Sequence, residues 1–566
     1  MKQQDKPIIY QVIPRLFGNM NDRCVKNGSL AENGSGKFSS FTHTALKSIK
    51  ELGVTHIWYT GIIEHATKTD YSAYNIRRDH TAIVKGKAGS PYAIKDYYDV
   101  DPDLADDVPN RMAEFEALIE RTHKAGLKVI IDFVPNHVSR QYHSDAKESF
   151  IVDLGQTDNT SKAFSPGNNF YYLPGQTLQF HFGAKQEDFE YSEFPAKVTG
   201  NDCFNANPGM NDWYETIKLN YGVDYANGKV SYFNPIPDTW NKMLEILMFW
   251  AGKGIDGFRC DMAEMVPVEF WHWAITHVTN CYPVCFIAEV YNPSLYRIFL
   301  SKGKFDYLYD KVGLYDTLKA VIRKETSACS ITKCWQAVEG FQDKMLAFME
   351  NHDEQRIASN FFAGNARSGI PAMMVLAFMH VNPVMIYFGQ ELGEAGMDEE
   401  GFSGVDGRTS IFDYWSIQSV RNWVNNGRFD ETGLNEKQCE IRNTYKRVLN
   451  IARTELAITK GLFYDLAYAN TGNKCFNSGR QYAFMRKYNN EVLLVLVNFD
   501  KSEQTVQVRI PEEAFAYLEI KDNEAAVLTD LFSGESSIST LTHVCPFKAV
   551  IPAFSGKALK FTYESI

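Results

Sequence analysis

The chain has 566 residues, 45% of them hydrophobic and 22% charged, which is enough apolar side chain for a large buried core. With 58 basic and 69 acidic residues it carries a net charge of −11 and no long block of either sign. That argues against a nucleic-acid binder, which needs a basic footprint, and against attachment to an anionic membrane surface.

The opening stretch, MKQQDKPIIYQ, lacks the apolar core of a signal peptide, and the ten cysteines form no CxxC pair. Both features are read as a cytoplasmic protein with reduced thiols. Residues 8–13 (IIYQVI) form the first predicted strand. A helix is predicted over Phe41 to Leu52, ending near Gly53, and VTHIWY (54–59) is a second buried strand. Asn110 is predicted to cap a helix that places Met112, Phe115, Leu118 and Ile119 on one face and ends at Gly126. KVIIDF (128–133) is the third strand.

A long irregular stretch follows, roughly Val138 to Pro237, rich in Gly, Asn, Asp and aromatic residues. It is too long for a loop within a compact domain and reads as an inserted subdomain. Helical spacing resumes at Asp238, with Trp240, Met243, Leu244, Leu247 and Trp250 on one face. GFRCD (257–261), VCFIAEV (284–290), MLAFME (345–350) and PVMIYF (383–388) are further strands. The apolar run from Pro371 to Gly389 is interrupted by His380, Asn382 and Pro383, so it reads as a buried helix and strand rather than a membrane span. A helix near Asn435 to Leu456 would complete the alternation of strands and helices.

Apolar strands alternating with helices imply a parallel sheet covered on both faces, and about eight such units imply a closed (β/α)8 TIM barrel. The predicted layout is a barrel from residues 1–137 and 238–456, an inserted subdomain at 138–237, and a C-terminal antiparallel β-sandwich at 457–566. The last domain is marked by short strands such as EVLLVLVNF (491–499).

Active sites of such barrels lie at the C-terminal ends of the strands. Four strands here run on into polar residues: Asp132, Asn136 and His137 after the third, Arg259 and Asp261, then Glu289, then His352 and Asp353. A single acidic residue at a strand end is ordinarily a cap or a loop salt bridge. Four clusters on one rim call for another explanation.

The segments DFVPNH, GFRCD, AEV and NHD, in this order, resemble the four short signatures of the α-amylase family, glycoside hydrolase family 13. GVTHIWYTG (53–61), SPYAIKDYYDVDP (90–102) and NPVMIYFGQE (382–391) resemble its flanking motifs, so the resemblance spans about residues 7 to 456. It implies a retaining mechanism with two carboxyl groups, in which Asp261 is the nucleophile, Glu289 the general acid/base and Asp353 the third carboxylate. Arg259, beside the nucleophile, would favour its charged form. The resemblance further implies that Tyr92 stacks on the cleaved sugar and that His137 and His352 bond its hydroxyls. Arg259 and Arg356 are counted with these substrate-binding residues. Asn136 matches a family Ca²⁺ ligand, with Asp202 or Asp212 as further oxygen donors, and no organic cofactor is implied.

Two departures stand out. Glu264 and Met265 occupy positions where many α-amylases carry a Lys-His pair on the leaving-group side, and ETIKLN (215–220) leans toward neopullulanase-like members. The implied substrate is an α-1,4-glucan or malto-oligosaccharide. Hydrolysis, transglycosylation and α-1,6 cleavage share every catalytic residue. A non-enzymatic glycan-binding barrel would be expected to lack one of the carboxylates, and all three are present.

Overall fold

The computed structural model describes residues 6–180, 191–400 and 404–562. Eight parallel strands close into a barrel: β1 (Ile8–Val12), β2 (His56–Tyr59), β3 (Lys128–Phe133), β4 (Gly257–Cys260), β5 (Cys285–Ala288), β6 (Tyr307–Tyr309), β7 (Met345–Phe348) and β8 (Val384–Tyr387). Each pairs with its neighbours in sequence, and β1 closes the ring onto β8 through Ile8↔Val384 to Gln11↔Tyr387. The sixth strand has no counterpart among the sequence-predicted strands. It is three residues long and meets each neighbour over two residue pairs, too short to show a periodicity of its own.

The strands are apolar on both faces because both are buried. Ile9, Trp58, Ile130, Ile287, Tyr309, Leu346 and Met385 fill the barrel interior. Their neighbours Ile57, Val129, Phe258, Phe286 and Ile386 face the helices. Strand alternation therefore also points Gln11, Asp132, Arg259 and Glu289 inward, one layer above that plug.

Helix α1 (His43–Glu51) is capped by Thr42, whose side chain accepts the Ala45 amide. In α2 (Arg111–Lys124) the buried face is Phe115, Leu118, Ile119 and Thr122. Asn110 does not cap it: its amide donates to Asp107 instead, and Glu114 accepts the Asp106 and Asp107 amides. Helix α3 (Asp238–Gly252) buries Trp250, whose indole nitrogen donates to the Tyr97 carbonyl. Helix α4 (Val268–Cys281) follows β4. Helix α5 (Ile370–Phe378) is buried around its whole circumference, and α6 (Glu436–Thr454) starts with an Asn435–Gln438 capping box. Among the described residues no helix is long and apolar enough to cross a membrane, and all ten cysteines are unpaired.

The wholly apolar surface of α5 is explained by the C-terminal domain. Strands β9 (Leu462–Asp465), β10 (Gln481–Tyr488), β11 (Glu491–Asn498), β12 (Gln504–Val508), β13 (Asn523–Asp530), β14 (Ser536–Leu541), β15 (Phe547–Ile551) and β16 (Ser555–Thr562) make two antiparallel sheets. The larger is ordered β9-β10-β11-β16-β13-β14, the smaller is β12-β15. In β11, Val492, Leu494 and Leu496 enter the core between the sheets, while Leu493, Val495 and Val497 join the barrel's core. Strands β11 and β16 lie against α5, and Gly556 packs so closely on Leu496 and Met374 that a side chain there would collide with both.

A chain ending at residue 456 would expose the α5 face to water, so it should be recovered as aggregate while the full chain remains in solution. Size-exclusion chromatography of the two checks this, and a monodisperse, active 1–456 fragment would contradict the packing argument.

Candidate active site

The inward layer at the top of the barrel is organised around Arg259, whose side chain has no exposure to solvent. Its Nη1 donates to Asp261 Oδ1 at 2.7 Å and to Asp132 Oδ1 at 3.4 Å, and Nε donates to the Tyr309 hydroxyl at 3.1 Å. Nη2 forms a 2.8 Å ion pair with Glu289 Oε2. One planar cation thus holds both expected catalytic carboxylates, which come from the ends of two adjacent strands. Register does this: Arg259 pairs with Asp132 across β3–β4 and with Ile287 across β4–β5, two residues before Glu289.

Asp261 and Glu289 are 6% and 3% exposed, so little water screens them. Burial pushes the Asp261 carboxyl well above the ordinary carboxylate range and Glu289 adds to this, while Arg259 opposes both. Burial also raises Asp132, against the pull of Arg259 and His352. Protons in such a cluster belong to the group rather than to one residue. For Asp353 burial acts upward as well, but His352, Arg259 and Arg408 outweigh it and hold this carboxyl below its usual value.

Tyr92, His352 and Asp353 form one unit. The Tyr92 hydroxyl lies 2.7 Å from His352 Nε2, which is 3.0 Å from Asp353 Oδ2. The Tyr92 and His352 rings stack at 5.1 Å, and Gln11 Nε2 lies 2.8 Å from His352 Nδ1 on the other side. His137 is held neutral: burial, with Lys218 and Lys85 nearby, brings its pKa down to about 3. It can exchange hydrogen bonds with a hydroxyl at any working pH without charging.

These groups border a cleft of about 270 Å³ whose walls include Tyr92, His137, Asp261, Glu289, His352 and Asp353. The remaining walls were not singled out in the sequence. Trp213 and Glu215 come from the insert, Lys85 from the stretch before Tyr92, Phe412 from beyond β8, and Met262 and Tyr291 from just after Asp261 and Glu289. Lys85 and Glu215 form a 2.9 Å ion pair, and the Trp213 ring lies 5.3 Å from that of His137. Only ETIKLN gave a hint, since Glu215 and Thr216 open it.

Residues 11–284 match the family model for the α-amylase catalytic domain. The match covers just under half of the chain and is to the α-amylase family, glycoside hydrolase family 13. It is a glycoside hydrolase, and the family needs no organic cofactor. Neopullulanase 2 of Thermoactinomyces vulgaris is 21% identical over 89% of this chain and 71% of its own. A cyclomaltodextrinase of a Bacillus species is 22% identical over 88% and 74%. The fold matches the acarbose complex of an α-amylase from Geobacillus thermoleovorans with a TM-score of 0.64, at 19% identity over 99% of both chains.

Within this α-amylase-type site two expected roles change. Arg259 lies beneath the cleft, enclosed by the groups described above, and supports the carboxylates rather than the sugar. Arg356, expected to touch substrate, is also fully buried. It pairs with Glu350 Oε2 at 2.9 Å, donates to Phe388 O and Thr409 Oγ1, and lies over the Tyr387 ring, so it ties the loop after β7 to the one after β8.

Asn136 does not present a cation site. Its Oδ1 accepts a hydrogen bond from Lys218 Nζ at 2.9 Å, and its Nδ2 donates to the Gly200 carbonyl. The same ammonium forms a 2.5 Å ion pair with Asp202. Asp212 is engaged elsewhere, by Asn201 and the Gly209 amide. A lysine charge already sits among the oxygens a Ca²⁺ ion would need, and two like charges exclude each other. The lysine reaches this place because Lys218 pairs with His137 across the two short strands, His137–Ser139 and Thr216–Lys218, that anchor the insert.

Two measurements follow. Arg356→Ala leaves the buried Glu350 carboxyl, which burial already pushes up to about 7, without its counter-ion, and should cost about 3–5 kcal/mol of stability with KM unchanged in the folded fraction. A raised KM at unaltered stability would return Arg356 to the sugar-binding set. Chelation with EDTA should leave the thermal midpoint where it was, whereas Lys218→Ala should cost about 1–3 kcal/mol by stranding the Asn136 carbonyl and Asp202. A drop on chelation that Ca²⁺ restores would reverse the assignment at Asn136.

Proposed function

We propose that this glycoside hydrolase cleaves α-1,4-glucosidic bonds in malto-oligosaccharides and starch-derived glucans, with retention, through a covalent glucosyl-enzyme intermediate. The observation that carries the reading is the grip of one buried guanidinium on Asp261 and Glu289 at the floor of the cleft. Asp261 attacks the anomeric carbon. The bond to the leaving oxygen breaks, and that oxygen takes the proton of Glu289. Glu289 then removes a proton from the incoming water, which releases the sugar and restores both groups. Asp353, held by His352, binds ring hydroxyls and stabilises the positive charge that develops on the sugar. Tyr92 packs against the apolar face of the ring, and neutral His137 bonds a hydroxyl.

A second reading is favoured by two observations, the IKLN tetrapeptide and the likeness to a neopullulanase and a cyclomaltodextrinase. In it the chain acts at α-1,6 bonds or passes the glucosyl group to a sugar acceptor instead of water.

A product time course on maltoheptaose distinguishes them. Shorter sugars with rising reducing ends are expected. Products both shorter and longer than the substrate, with flat reducing ends, would mean transfer. An inert maltoheptaose beside a consumed α-1,6-linked substrate would move the specificity. Asp261→Asn should lose activity by roughly 10⁴-fold or more, in the range seen when a nucleophile is removed. Full activity in that variant would sink the mechanism.

A further inference from the structure

Glu264 and Met265 depart from the family pattern on the leaving-group side, and the structure shows what Glu264 does. Its Oε2 accepts the backbone amides of Tyr291 at 3.0 Å and Asn292 at 2.9 Å. The carboxylate therefore holds the loop that follows Glu289. Tyr291, half-buried in the cleft wall, turns its hydroxyl back and donates to Glu289 Oε1 at 2.5 Å.

The two oxygens of Glu289 differ in consequence. Oε2 is held by fixed partners, accepting the Met262 amide at 2.8 Å and forming a 2.8 Å ion pair with the Arg259 guanidinium. Met262 has a left-handed backbone (φ 42°, ψ 41°), which turns the chain directly after Asp261. Among the described residues Oε1 has one hydrogen-bond partner, Tyr291, which can swing on its own χ angles. Oε1 is thus the oxygen free to serve a substrate, and the phenol stands where a leaving oxygen would approach. Burial and the Glu289 charge raise the Tyr291 hydroxyl well above its ordinary value, so it remains a donor.

Resting on the reading of Glu289 as general acid/base, we propose that Tyr291 is a positioning residue for that group. Its hydroxyl aims Oε1 into the cleft until the glycosidic oxygen displaces it, and Glu264 fixes Tyr291 through the backbone. A general acid must lie within hydrogen-bond reach of the oxygen it protonates, and a carboxyl pinned at one oxygen alone is free to twist. In the step itself the C1–O bond breaks as the Asp261–C1 bond forms, and the proton on Glu289 Oε1 passes to the departing oxygen. Tyr291 ends the step with its own proton.

The test compares maltoheptaose, whose leaving group needs a proton, with α-maltosyl fluoride, whose fluoride leaves with little protonic help. Tyr291→Phe should lower kcat on maltoheptaose by about tenfold, a fraction of the full effect of a general acid, and change kcat on the fluoride less than twofold. Glu264→Leu should show the same split. Glu264→Gln, which keeps an acceptor oxygen for the two amides, should recover most of the activity. Thermal midpoints of all variants report folding. Equal losses on both substrates would mean that Tyr291 only shapes the cleft, and unchanged maltoheptaose turnover would remove its role; either overturns the proposal. Glu289→Gln separates this from the parent reading. If it loses maltoheptaose turnover yet still releases a first equivalent of fluoride, the step that needs no acid, the acid assignment stands whatever Tyr291 does; steady turnover of the fluoride then stops, because the same group is the base of the second step. If it keeps both, the acid assignment falls and the proposal with it.

Discussion

The site depends on one buried cation. Arg259 presents a rigid planar cation that donates to Asp132, Asp261 and Tyr309 and pairs with Glu289. Taking a guanidinium out of water costs several kcal/mol, and its attraction to the surrounding carboxylates offsets that only if the geometry is good. Three aromatic rings, Trp58, Tyr92 and Tyr309, complete the enclosure at 5.2 to 5.5 Å from the guanidinium carbon. The cluster sits on strands β3 to β6, so the barrel must close in register before it can form. Catalytic competence is in this way tied to the fold rather than to any flexible loop.

The same device recurs at the rim. Arg356 joins the loops after β7 and β8 through Glu350, and Lys218 joins the insert to the third strand through Asn136 and Asp202. Each replaces a looser connection by a charged side chain that leaves a penalty behind if it is removed. A lysine in place of a divalent ion has a functional consequence: the insert that supplies Trp213 and Glu215 to the cleft is held by the chain's own charge. On the other side the Glu264 side chain gathers two backbone amides beside Glu289.

How legible was this in the sequence? Strands and helices with strong periodicity were readable because barrel strands buried on both faces produce continuous apolar runs. The run at residues 491–499 was equally readable as a strand, but its meaning was not. Its alternate residues serve two different cores, which only the docking of the larger sheet on α5 reveals. The sixth strand escaped because three residues carry no period. Asn110 had the right residue type for a cap, yet Asp107 took its amide.

The sequence by itself determined the chemistry available: three carboxylates, two histidines and an arginine, each placed after an apolar strand in an order that resembles one family. It could do so because strand alternation is local and forces those side chains to one end of a barrel. What only the tertiary structure decided is which polar groups meet. Lys218 is 82 residues from Asn136, Tyr291 turns back upon Glu289, and Arg356 is enclosed rather than exposed. Electrostatic partnerships of this kind depend on ångström distances between distant segments and on how completely water is excluded around them, and neither quantity is written in residue order.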